Sequence, residues 1–235
     1  MKILGIDSSA KSASVAVVLD GTIFSEAYVN AGLTHSRTLA PMTGNALENA
    51  GIAPDEIDAF AVAVGPGSFT GVRIGTAFVK GLAQASGKPC IPVSALETIA
   101  YPLRSRECIA AAVMDARCGQ VYSAVFEFSQ GRCERITPDE ALLITELAKK
   151  LKNRKLPVIL IGDGAQMCYN KLADIIPGII LADEQIRYQR ASSVALIAYE
   201  ALSNGAEPVG AGELRPVYLR VPQAERELKN KEEKR

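Results

Sequence analysis

The sequence predicts an α/β protein of two facing lobes, each built on a β-β-β-α-β-α-β unit, with the second lobe reduced. Three observations predict it. Both halves of the chain carry strand, turn and helix signals in the same order. Each half opens with an apolar strand that ends on an aspartate, Asp7 or Asp115, followed by a turn and a second strand. In each half a later apolar strand runs into a glycine-rich turn and then a helix, at 61–67 and at 157–165.

The first half begins with an alternating strand over 2–7 (KILGID) and a second over 12–19 (SASVAVVL). Asp20-Gly21 is a hairpin-turn signal into a third strand over 22–29. A helix is predicted over about 36–49, where Leu39, Met42, Ala46 and Ala50 fall at helical spacing. Pro41 should kink it or mark its true first turn. A strand over 59–64, a glycine-rich helix over about 70–85 and a strand over 89–93 follow. A glycine inside a helix costs about 1 kcal/mol relative to alanine. Gly67, Gly71 and Gly75 at helical spacing therefore need a reason, and close approach of another backbone supplies one. A tight crossing within the lobe and a contact between subunits account for the spacing equally well. Gly81 lies on a different face.

The second half repeats the order. Strands are predicted over 108–115 (CIAAAVMD), 120–128 (QVYSAVFEF) and 132–136, with tight turns at Gly119 and Gly131. Pro138 is placed as the first residue of a helix that runs to 151. An apolar strand over 157–161 leads through Gly162-Asp163-Gly164 into another helix, 179–181 is a fifth strand, and a last helix covers 192–202. These signals divide the chain into a first lobe at 1–101, completed by part of 206–221, and a smaller lobe at 102–205. The tail 222–235 mixes both charge signs with few apolar residues, and is expected to be a solvated, disordered segment.

At 235 residues with 48% hydrophobic and 22% charged residues, the composition is that of a soluble globular protein. No apolar run reaches the length of a membrane span, and the N-terminal segment lacks signal-peptide features. The five cysteines (Cys90, Cys108, Cys118, Cys133 and Cys168) are an odd number without C-x-x-C spacing, and are expected to be reduced thiols, mostly buried, in a cytoplasmic protein. Lys plus Arg equals Asp plus Glu at 26 each, which disfavours a stand-alone nucleic-acid binder while leaving room for a local basic patch.

The duplicated order is that of actin, hexokinase-type sugar kinases and Hsp70. In that class, turns after the first strand of each lobe face a nucleotide phosphate and its metal. Here those pieces are Asp7-Ser8-Ser9, residues 115–119 and residues 162–165. The segments KILGIDSSAKSASVAV, LTHSRTLAP, AVAVGPGSFTGVRIG, GLAQASGKPCIPVSALETIA, VMDARCGQVYSAVF, IGDGA and PVYLR closely resemble the bacterial TsaB (YeaZ) family across nearly the whole chain. The resemblance implies a role in making threonylcarbamoyladenosine beside the tRNA anticodon. It implies a non-catalytic subunit with no activity of its own. That subunit binds its larger relative TsaD, which carries out the transfer, and the ATPase TsaE joins them. It also implies contact with tRNA only through the complex, and a homodimer that competes with the TsaD heterodimer.

The residues support a non-catalytic reading. By alignment to TsaD, two metal-binding histidines are replaced by Ala95 and Ile99, which cannot ligate a transition metal. His35, the chain's one histidine, has no clustered partners and is expected to be structural, near a helix start. Ser8 and Ser9 stand where nucleotide-binding relatives open the phosphate turn with glycine, and Asp115 is followed by Ala116 and Arg117. Asp7 and Asp115 are therefore expected to cap their own turns. With Ser8, Ser9, Arg117, Gly162 and Gly164 they would form a vestigial nucleotide cleft, with at most weak ATP or ADP binding, no required cofactor and no metal. The resemblance places the partner surface on the helices at 36–49 and 70–85. The residues chosen for it are His35, Leu39, Met42, Ala46, Val72, Gly75, Thr76 and Val79. The rival reading is a small ATP-dependent kinase or ATPase that uses the cleft.

Overall fold

The computed structural model describes residues 1–220; the charged tail expected at 222–235 lies outside the described residues. The first lobe carries β1 (Lys2–Asp7), β2 (Ala13–Leu19), β3 (Thr22–Val29), α1 (His35–Ala50), β4 (Ala59–Gly65), α2 (Phe69–Ser86) and β5 (Cys90–Ser94). A short helix, α3 (Ala95–Ala100), leads into β6 (Cys108–Asp115), β7 (Gln120–Ser129), β8 (Arg132–Arg135) and β9 (Glu140–Leu143). Then come α4 (Ile144–Leu151), β10 (Val158–Ile161), α5 (Ala165–Leu172), β11 (Ile180–Leu181), α6 (Glu184–Arg187) and α7 (Ala191–Ser203).

The first sheet has the order β3-β2-β1-β4-β5, and the second β11-β10-β6-β7-β8 with β9 on the free part of β7. The two sheets share one plan. β1 pairs antiparallel with β2 and parallel with β4, and β6 pairs antiparallel with β7 and parallel with β10. β4 ends on a left-handed glycine, Gly65 at φ 118°, and β10 runs straight into one, Gly162 at φ 114°.

Three apolar layers hold the sheets. α1 and α2 cover the outer face of the first sheet, with Leu39, Met42 and Val79 on Leu4, Val15 and Val62. α4 and α5 cover the outer face of the second, with Leu147, Cys168 and Leu172 on Ile109, Val113 and Leu160. Between the sheets, Leu96 and Ile99 of α3 and Val194, Ala195 and Ala198 of α7 pack with Ile3, Ala61, Met114 and Phe126.

The structure corrects the expected elements in four places. The helix expected from Pro138 begins only at Ile144, because residues 140–143 pair antiparallel with β7, burying Leu142 and exposing Leu143. α4 then starts with the Glu146 carboxylate accepting the Leu143 N–H at 2.8 Å. Pro41 lies inside α1, on its exposed side, and does not mark the first turn. The short α3 and α6 had no counterpart in the sequence reading. Finally, chain order put α7 in the second lobe, yet it packs on β1 and β2 of the first. Gly5 makes this possible: a Cβ there would lie 2.6 Å from the Ala191 carbonyl oxygen. The C-terminal segment also returns to the first lobe, where Val209 bridges Cys90 and Leu214 is buried beside β4 and β5. Cys90, Cys108 and Cys168 are buried thiols, while Cys118 and Cys133 are exposed.

Candidate functional site

The turns that end β1 and β6 are closed by their own aspartates. Asp7 Oδ1 accepts the Ser9 N–H at 2.8 Å and the Ser9 hydroxyl at 2.7 Å, and Oδ2 takes the Thr98 hydroxyl at 3.4 Å. Burial pushes the Asp7 carboxyl up, against the pull of those bonds. Asp115 Oδ1 accepts the Arg117 N–H at 2.7 Å, the same bond to the residue two positions on. The turn after it is left-handed at Arg117, Cys118 and Gly119, with φ of 62°, 53° and 73°.

The glycine-rich start of α2 packs onto the Asp7 turn. A Cβ on Gly67 would overlap the Ser9 carbonyl oxygen, one on Gly71 the Ser8 carbonyl oxygen, and one on Gly75 the Ser8 hydroxyl. Ser8 donates to the Gly71 carbonyl at 2.9 Å, and the Ser68 N–H donates to Ser9 at 2.7 Å. These glycines therefore serve a crossing inside the lobe.

This overturns the residues chosen for the partner surface. Leu39, Met42, Ala46, Val72, Gly75, Thr76 and Val79 are all buried in this chain. An apolar stripe on a helix that covers a sheet is the sheet-facing stripe. His35 is partly exposed at the start of α1, and its Nε2 donates to the Ala10 carbonyl at 2.9 Å. The faces left open on the two helices carry Ala40, Pro41 and Gly44, and Ala77 and Gly81, flanked by half-buried Ile74 and Phe78.

A cleft of about 800 Å³ lies between the lobes. Of the residues expected there, Ser9, Asp115 and Arg117 line it. Asp7 and Ser8 are buried beneath it. Gly162 and Gly164 press on β6, where a Cβ on Gly162 would overlap the Val113 carbonyl oxygen and one on Gly164 would lie 2.9 Å from the Met114 carbonyl carbon. They allow strand and turn to meet and are not among the residues that line the cleft.

The sequence reading missed other lining residues, among them Lys11 and Tyr122, while Asp163, within the 162–165 turn expected at the cleft, does line it. The protein crowded around Asp163 pushes its carboxyl up to about 6, with the Asp115 charge adding to the shift and the Gln189 amide, which donates at 3.3 Å, opposing it. The segment 217–220 was also missed as a wall of the cleft. The Val217 N–H donates to Val64 at 2.8 Å, the Tyr218 ring lies 5.1 Å from that of Phe69, and Arg220 donates to the Ala116 carbonyl of the second lobe at 2.8 Å. Arg73 covers Phe69 and donates to the Tyr218 hydroxyl at 2.7 Å. No local periodicity signals such a segment, because its partners are 100 or more residues away in sequence.

Among the described residues there is no group of three His, Cys, Asp or Glu side chains arranged to hold a metal. Ala95 and Ile99 are buried in the core between the sheets. No described helix is long and apolar enough to cross a membrane.

Two sheets of one plan, each opening on a strand, an aspartate and a turn beside a shared cleft, define a two-lobed protein of the actin-like fold. The family model described as "TsaD: tRNA N6-adenosine threonylcarbamoyltransferase" matches residues 29–228. The chain is 31% identical to the tRNA threonylcarbamoyladenosine biosynthesis protein TsaB of Bacillus subtilis (strain 168), over 96% of each chain. It is also 31% identical to the protein of that name from Escherichia coli (strain K12), over 99% of this chain and 100% of that one. The solved structure of YeaZ from Pseudomonas aeruginosa matches with a TM-score of 0.79 at 28% identity, covering 93% of this chain and 99% of the other. The chain belongs to the TsaB (YeaZ) family of tRNA threonylcarbamoyladenosine biosynthesis proteins.

Proposed function

We propose that this protein is a non-catalytic subunit of the tRNA threonylcarbamoyladenosine machinery, which binds the transferase TsaD through the open faces of α1 and α2 and helps recruit TsaE. The observation that carries the reading is a pair of unexplained glycines. A Cβ on Gly44 of α1 or Gly81 of α2 would meet nothing within 4 Å. Each lies inside a helix, where glycine costs about 1 kcal/mol relative to alanine. Unlike Gly67, Gly71 and Gly75, neither is repaid by a contact within the chain. With Ala40, Pro41 and Ala77 around them, they form a low surface that a partner's helices can approach closely.

The same patch on two copies would give a symmetric homodimer, so homodimer and TsaD heterodimer exclude one another. The cleft supplies no reaction centre in this reading, requires no cofactor and binds ATP or ADP weakly at most. Supporting this, Asp7 Oδ1 closes its own turn on the Ser9 N–H and hydroxyl, and Ser8 turns its hydroxyl into α2. The assembly as a whole, in the cytoplasm, engages the tRNA.

Light scattering after size-exclusion chromatography tests the proposal, with the protein alone and mixed with TsaD. The wild type is expected to form a one-to-one complex. Gly81→Arg and Gly44→Arg point into open space, and should abolish the complex without lowering the stability of the free chain, since arginine is the better helix former. A complex that survives both substitutions, or one that never forms, overturns the reading.

A further inference from the structure

Five of the seven residues from Lys149 to Lys155 are cationic, in a chain whose net charge is zero. They span the last turn of α4 and the turn beyond it, where Asn153 is left-handed at φ 59°. Two of the five are held in place. Lys150 pairs with Glu140 at 2.7 Å, and Arg154 donates to the Lys150 carbonyl at 3.1 Å. Lys149, Lys152 and Lys155 are exposed and make no ion pair among the described residues. α4 leads into β10 and α5 leads out of it, so Lys171 in the last turn of α5 ends at the same edge of the second lobe.

One or two cations satisfy the negative end of a helix dipole. The others lie within a Debye length, roughly 8–10 Å, of one another and repel. Such a cluster is stabilised by a polyanion. We propose that this edge of the second lobe grips the phosphate backbone of a structured RNA, the tRNA of the machinery assigned above.

Two features favour RNA over an anionic membrane. Between Lys149 and Lys155 the exposed positions carry no aromatic or aliphatic side chain to enter a bilayer, since Leu151 is buried. The absence of a stacking aromatic among residues 149–155 also favours the backbone of a helical stem over splayed bases. The position suits a shared task. α4 lies on the outer face of the second sheet and α1 and α2 on the outer face of the first, so RNA and a partner protein can be held together.

The inference rests on the tRNA-modification role, and its test reads separately from the docking test. Fluorescence anisotropy with a labelled, unmodified tRNA would be recorded against salt, for the chain alone and for its complex with TsaD. Lys149→Glu/Lys152→Glu/Lys155→Glu should weaken binding at least about tenfold and flatten the dependence of log affinity on log salt by about one per lysine. The triple alanine variant should fall between, with an unchanged melting curve. Unchanged affinity and slope in both triple variants overturns the proposal. So does binding to phosphatidylserine vesicles that needs the three lysines while tRNA binding does not. If no complex with TsaD forms, a lysine-dependent loss on the chain alone still upholds the patch while the docking surface fails.

Discussion

Gly71 and Gly81 sit in one helix under opposite constraints. Gly71 faces the Ser8 backbone with no room for a methyl group, and Gly81 faces open space. Gly71→Ala is expected to destabilise by about 2 kcal/mol or more, as overpacking against backbone does. Gly81→Ala should stabilise by up to about 1 kcal/mol through helix propensity. Urea midpoints of the two variants check the contrast, and equal effects would sink it. Asp163 gives a pH signature. Its folded carboxyl holds a proton up to about pH 6, while the unfolded group releases it near its ordinary value of 3.8. Between those values the folded state binds more protons, so stability from this group falls as pH rises from about 4 to 6 and stays low above. Asp163→Asn should therefore be more stable than wild type at pH 8, with an advantage that fades as pH drops through 6 towards 4; urea midpoints at pH 8 and 4.5 measure it. The capping roles of Asp7 and Asp115 were legible in the sequence, because a bond to the residue two positions on is local. The environment of Asp163 was not, because Gln189 and Asp115 reach it from distant parts of the chain.

On the scale of elements, α1 and α2 were legible to within about one residue at each end, and their exposed faces were misread. The apolar stripe of an amphipathic helix marks what is buried, and here the chain buries it itself. The faces left open to solvent carry small residues such as Ala40, Gly44, Ala77 and Gly81, which give no hydrophobic signal. α2 is anchored at its start by Ser68, whose hydroxyl accepts the Gly71 N–H at 3.3 Å. Ser68→Ala should cost about 1 kcal/mol in a denaturant titration, as the loss of an N-cap does; no loss would mean that the crossing with Ser9 alone sets the helix start. The misplaced start of α4 has a similar origin. Proline opens helices well, and only the unpaired edge of β7 draws residues 140–143 into a strand.

On the scale of the molecule, the two lobes are not independent. α3 and α7 fill one continuous core between the sheets, and α7 crosses from the end of the second lobe to cover the first. Unfolding should therefore be a single cooperative transition, with calorimetric and van't Hoff enthalpies equal; two resolved transitions would contradict the shared core. The duplicated order of elements, the equivalence of Asp7 and Asp115 and the glycine-rich turns were determined by sequence alone, since periodicity, turn chemistry and helix capping act over a few residues. Tertiary structure decided which helix face meets solvent, that Gly67, Gly71 and Gly75 serve an internal crossing, that α7 belongs to the first sheet, and that residues 217–220 wall the cleft. Those outcomes depend on contacts between segments tens to more than a hundred residues apart, and no local pattern records which distant backbone will arrive.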